Sequence, residues 1–209
     1  MEIINNFEEI IATISFSDYW KKMQESTFLD ELEEKRVEFL RMNFEKVLNN
    51  GSKADKETIH LYHSNFELEF NNFAESYKSL LLLISDESNG LFQPIKISEK
   101  LNKFSRNISF ELNKKKYECD LVSERICDTN IFWLVNKALK ANKSKELIAM
   151  IGVDYEYQSD NINFGFLNSK KYSILQKLSL VPNFDDNMFF SKKAKINFKD
   201  YVVLDEDDY

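Results

Sequence analysis

Ile108-Ser-Phe-Glu-Leu-Asn-Lys-Lys-Lys-Tyr-Glu-Cys-Asp-Leu121 consists of two alternating runs around one polar turn. Ile108, Phe110 and Leu112 alternate with polar residues, and so do Tyr117, Cys119 and Leu121. Successive strand side chains point to opposite faces, so the pattern predicts a β-hairpin with one buried face and a turn at Asn113-Lys114-Lys115. Asp128 or Thr129 then caps a predicted helix from about Asn130 to Ala141. Phe132, Val135 and Leu139 are expected to face inward, and so are Leu134 and Trp133.

Further along, Leu147 to Tyr157 and Ile162 to Leu167 read as strands, and Ser169 caps a short helix to about Leu178. Lys195 to Leu204 reads as a last strand before the acidic tail Asp205–Tyr209. Just upstream of the hairpin, Phe92 to Ile97 reads as a short strand, with Pro94 favouring an edge, and Ser98 to Phe104 as a helical turn or two. Gly152 and Gly165 are isolated strand glycines, which mark bulges or close packing.

The first 89 residues read as helix. Ile3, Ile4, Phe7, Ile10 and Ile11 suit a short opening helix. From Ser17 to about Asn49 apolar residues recur in steps of three and four, ending at Gly51. From Ser52 to Ser88 the stripe Ile59, Tyr62, Phe66, Phe70, Phe73, Tyr77, Leu80 and Ile84 approaches a heptad seam. The expectation is an α+β fold: a long N-terminal antiparallel helical hairpin packed on a small, mainly antiparallel sheet with two short helices. Residues 1–89 form the helical region and 90–209 the α+β region, packed together as one compact unit.

The chain has 209 residues, a net charge of -7 and 18 phenylalanines, enough apolar mass for a sizeable core. Residues 1–89 carry 18 acids against 9 Lys/Arg, whereas residues 90–184 carry 10 against 15. An acidic surface repels a phosphate backbone, so nucleic acid is not the expected partner. The longest apolar run, Leu80 to Ile84, is far too short to span a bilayer. The acidic start lacks the basic region of a signal peptide, and nothing supports a disulfide framework for Cys119 and Cys127. The expected location is a reducing cytoplasm, with both thiols free.

Catalytic chemistry is thinly represented. No glycine-rich phosphate loop or paired-cysteine metal motif is present. His60 and His63 lie three apart, with Glu67 one turn on. They could contribute to a metal site or be partly exposed side chains of an acidic helix. Asp154, Glu156 and Asp160 cluster at a strand end and its hairpin, with Tyr155 and Tyr157 on the opposite strand face. Exposed acids beside tyrosines suit a surface that meets a basic protein. The acidic run around Glu31 and Glu34 is a second such surface. Asp154 and Glu156, with His60 or His63, would serve the alternative, a small metal-dependent hydrolase or nuclease.

Over residues 108–178 the chain resembles the immunity proteins of bacterial contact-dependent and polymorphic toxins. The shared order is the hairpin Ile108–Leu121, the helix Asn130-Ile-Phe-Trp-Leu-Val-Asn-Lys-Ala-Leu139, a strand pair, and Ile162-Asn-Phe-Gly-Phe-Leu-Asn-Ser-Lys-Lys-Tyr172 running into a helix. The resemblance implies stoichiometric neutralisation of one toxin by covering its active site, with no cofactor and no catalysis. Asp154, Tyr155, Glu156, Tyr157 and Asp160, then Glu31 and Glu34, are the expected contact residues for a toxin domain with a basic surface.

Overall fold

The computed structural model describes residues 7–25, 29–69, 76–102, 105–122, 127–154, 161–177, 180–181 and 189–195. In chain order the elements are α1 (Phe7–Thr13), α2 (Phe16–Glu25), α3 (Glu34–Asn50), α4 (Lys53–Glu57), β1 (Phe66–Glu69), α5 (Tyr77–Glu87), β2 (Ile95–Leu101), β3 (Ser105–Leu112), β4 (Lys115–Val122), α6 (Asn130–Ala141), β5 (Leu147–Asp154), β6 (Asn161–Leu167) and α7 (Ser169–Lys177). Short 3-10 turns occupy Leu29–Glu31 and Ile59–His63. The class is α+β, with two three-stranded antiparallel sheets ordered β1-β6-β5 and β2-β3-β4 among the described residues.

The chain divides into two compact units. One comprises Met1–Glu69 with Ser144–Phe189, the other Phe70–Lys143 with Phe190–Tyr209.

The long helical hairpin expected over 17–84 is not what the chain forms. Its first arm breaks between α2 and α3. Met23 is buried, and in an uninterrupted helix Leu29 and Leu32, six and nine residues on, would face away from it. The 3-10 turn and the extended Glu33 (φ -62, ψ 143) return both leucines to the core. The second arm breaks because its hydroxyl and amide side chains compete for backbone groups. Thr58 Oγ1 donates to Asp55 O (3.1 Å) and Ser64 Oγ to Leu61 O (2.6 Å). Asn65 N donates to Phe164 O (2.7 Å), and its Oδ1 accepts from Phe166 N (3.0 Å). Phe66-Glu67-Leu68-Glu69 then alternates as a strand, with Phe66 stacked on Phe164 at 5.2 Å. The heptad residues Phe70 and Phe73 lie outside the described residues.

In the first unit the core collects around Phe44, which is fully buried. Its ring lies 5.0 Å from Tyr19, 5.4 Å from His63, 6.1 Å from Tyr62 and 6.5 Å from Trp20. Ile11, Ile59, Ile151, Tyr172 and Leu175 complete the cluster.

In the second unit the β3–β4 hairpin turns at Asn113-Lys114, both at positive φ (50° and 65°), as a tight two-residue turn requires. The expected helical turn at Ser98–Phe104 is instead strand as far as Leu101. The buried Asp128 fastens three elements. Its carboxylate accepts from Val122 N and Asn130 N, and its own N donates to Tyr77 Oη, each at 2.9 Å. Glu99 accepts from Lys78 N (3.1 Å) in the first turn of α5, where a carboxylate opposes the helix dipole. The strand expected from Lys195 lies, but for that residue, outside the described residues.

The aromatic cluster fixes an expectation for stability. Phe44→Ala should cost about 3–5 kcal/mol in urea unfolding, through lost transfer energy and the cavity left behind. A loss below about 1 kcal/mol would show that the cluster is not the centre of this core.

Candidate functional site

The expected contact residues are only partly within the described chain. Asp154 is the last residue of β5, opposite Asn161, and only its backbone is described. Tyr155, Glu156, Tyr157 and Asp160 lie outside the described residues. Glu31 ends the 3-10 turn before α3, again with only its backbone described. Glu34 opens α3 and is exposed.

His60 and His63 are not partly exposed helix residues. Both are buried, in the 3-10 turn Ile59–His63. His60 Nδ1 lies 3.0 Å from Glu57 O. A carbonyl can only accept, so Nδ1 carries the proton and Nε2 the lone pair. That Nε2 faces Gly152, where a Cβ would come within 2.5 Å of it and of Leu61 Cδ2. Gly152 also follows the register shift in β5, so the isolated glycine marks both a bulge and a close approach. The Phe7 ring stands edge-on to His60 at 5.3 Å, and Phe44 to His63 at 5.4 Å.

Burial lowers the His60 pKa to about 4, with the Glu57 bond opposing the shift. It lowers that of His63 to about 3, helped by the charges of His60 and Arg36. Both rings are therefore neutral near pH 7. Glu67 is exposed on β1 and does not join them. Among the described residues, no group of three or more His, Cys, Asp or Glu is placed to hold a metal ion.

The thiols are equally withdrawn. Cys119 and Cys127 are free and buried, and burial raises both pKa values. Neither is a thiolate at neutral pH. All the histidines and cysteines of the chain are thus neutral and enclosed.

What the fold does present is the outer face of α3. Lys35, Phe39, Met42 and Lys46 fall at steps of four, three and four, so they share one stripe. Phe39 is 45% exposed and Met42 65%, although the helix buries Leu40, Phe44, Val47 and Leu48 on its inner face. Phe39 is nonetheless held in place. The Arg36 guanidinium lies 5.0 Å from its ring centre and the Tyr62 ring 6.2 Å away. Arg36 is itself fixed, donating from Nη2 to Tyr62 O (2.6 Å) and Ser64 O (3.1 Å). A second exposed column, Glu34, Glu38, Arg41 and Glu45, runs beside the apolar stripe. Periodicity alone placed Phe39 with the core residues of a long helix. Its exposure became visible only with the turn that docks on α3.

No protein-family model matches the chain, and neither a curated protein nor a solved structure matches it.

The buried imidazoles set an acid limit on stability. Well above about pH 6.5 both are neutral, folded or unfolded, and their contribution is fully present. Below that pH the unfolded chain takes up protons that the fold refuses, so stability falls with pH until the folded values of about 4 and about 3 are reached. Well below about pH 6.5 each histidine contributes about 1.4 kcal/mol per pH unit, so urea unfolding should show a loss of about 3 kcal/mol between pH 6.5 and 5. His63→Phe should halve that slope. A flat profile over this range would contradict the burial of both rings.

Proposed function

We propose that this chain is a protein-binding module, and more concretely an immunity protein that neutralises a cognate bacterial toxin domain by covering its active site. The observation that carries the binding reading is the pair Phe39 and Met42. They are large and exposed, on a helix that otherwise sorts its residues correctly. Aromatic, methionine and arginine side chains are the types enriched at interface centres, and a side chain already held in position loses little entropy on docking. Arg36 and Tyr62 hold Phe39 in this way.

Charge narrows the partner. Glu34, Glu38 and Glu45 border the stripe, and the first 89 residues carry twice as many acids as bases. Such an edge steers a basic surface and sets register, while the apolar pair supplies the anchor. The order of elements over 108–178 supports the toxin-immunity reading in particular. The enclosed histidines and thiols are consistent with action by contact.

The test is co-purification with the C-terminal module of any large secreted protein encoded beside this chain. A 1:1 complex that has lost the module's activity is expected. Phe39→Ala with Met42→Ala should weaken it at least roughly 30-fold, the effect of removing an anchor worth about 2 kcal/mol or more, with an unchanged melting temperature. Full module activity in a soluble mixture, or unaltered affinity of the double variant, would count against the proposal.

A further inference from the structure

Two stretches of the second unit carry lysine and no acid. From Thr129 to Lys143 the charged residues are Lys137, Lys140 and Lys143, and from Phe190 to Lys195 they are Lys192, Lys193 and Lys195. The fold lays one stretch on the other. Asn130, at the start of α6, accepts from Ala194 N through Oδ1 (2.7 Å) and donates from Nδ2 to Ala194 O (3.4 Å). The Phe190 ring lies 5.0 Å from Phe132. This clamp brings Lys193 Nζ to 5.6 Å from the centre of the Trp133 ring, and Lys137 Nζ, one turn along α6, to 4.9 Å.

Trp133, half-buried, and the exposed Lys137 and Lys140 line the face of α6 left at the surface. The buried Asp128 carboxylate lies close enough to Lys193 to interact with its charge, and Lys193 shares a hydrogen bond with the Cys119 side chain. Glu118 and Asp120 of the neighbouring strand, however, do not offset Lys137 and Lys140. α6 packs on β4, where Tyr117, Cys119 and Leu121 are buried and Glu118 and Asp120 alternate onto the opposite face. A chain of net charge -7 thus carries a local patch of lysines around one indole.

We infer that this patch binds single-stranded nucleic acid without sequence preference, the lysines contacting phosphates and Trp133 offering a base a stacking partner. Net charge argues the other way only at long range. At physiological salt, exposed charges beyond about 8 Å are largely screened, so the nearby lysines dominate at contact. An acidic peptide would use the same lysines, but the rest of the patch does not suit one. None of the exposed large apolar side chains lies on α6 or on residues 190–195, so the surrounding anchors typical of a protein interface are missing. A base has a π-face to set against indole, and sequence-tolerant stacking beside cations is the usual design of single-strand sites. This inference is independent of α3, which belongs to the other unit.

The chain has two tryptophans, so Trp20→Phe leaves Trp133 as the single indole reporter. Titration of that protein with a short oligothymidylate at low salt should quench its fluorescence saturably, with affinity falling as salt rises. Lys137→Gln with Lys193→Gln should weaken binding roughly tenfold. The log–log salt slope should become shallower by roughly 1.4, at about 0.7 per phosphate contact on single strands. Trp133→Ala, followed by gel shift, should weaken binding roughly 5- to 100-fold with little change in that slope. If that variant fails to fold, the lysine pair, both exposed, decides alone. The inference is overturned by the absence of saturable binding at low salt, by unchanged affinity in the lysine pair, or by a short polyglutamate peptide that binds as tightly as the oligonucleotide.

Discussion

The Arg36 guanidinium reaches from α3 to the carbonyls of Tyr62 and Ser64, and the first unit is arranged around that reach. Carbonyls at the end of a helical turn have no partner within the turn, and a buried one left unpaired is costly. Arg36 satisfies two of them with one group. In doing so it fixes the turn that carries Ile59, His60 and His63 into the core. Burial lowers the pKa of Arg36, but a guanidinium is basic enough to hold its proton at neutral pH. The same guanidinium lies over Phe39 on the outer side. One cation therefore organises a buried turn and steadies an exposed aromatic ring.

The histidines occupy this turn as shaped, half-polar core residues. His60 fills the space left by the missing side chain of Gly152 and returns one hydrogen bond to Glu57, the last residue of α4. An aliphatic residue could fill the volume but not satisfy that carbonyl. The pairing of a bulged glycine with an imidazole is a steric match, which gives His60 a packing role in this core.

Much of the second half was legible in the residues themselves. The β3–β4 hairpin, α6, β6 and α7 all carry strong local periodicity, and their observed bounds lie within a few residues of those expected. In the N-terminal half the opening helix and the stop at Gly51 were legible, but the breaks within the long arms were not, because their decisive contacts are distant in sequence. Asn65 and Phe166 are bonded across 101 positions, and no local pattern announces that pairing. Phe66 and Leu68 fit both a heptad seam and a strand, and only β6 decides between them. The α3 face was hidden for the same reason. Phe39 is apolar at helical spacing, so sequence places it inward, and of that surface only the acidic edge at Glu34 and Glu38 is legible in the residues themselves. The lysine patch joins α6 to a segment some sixty residues later, and composition reports only their sum.

The first unit is assembled from Met1–Glu69 and Ser144–Phe189, with the second unit's main segment between them. On the ribosome, β1 emerges long before β6, the strand it pairs with, has been translated. Until then Phe66 and Leu68 have no sheet to join. The second unit in turn lacks Phe190 and Ala194 until the chain is nearly finished. Nascent chains must carry exposed apolar surface through most of elongation, a topology of high contact order that folds slowly and late.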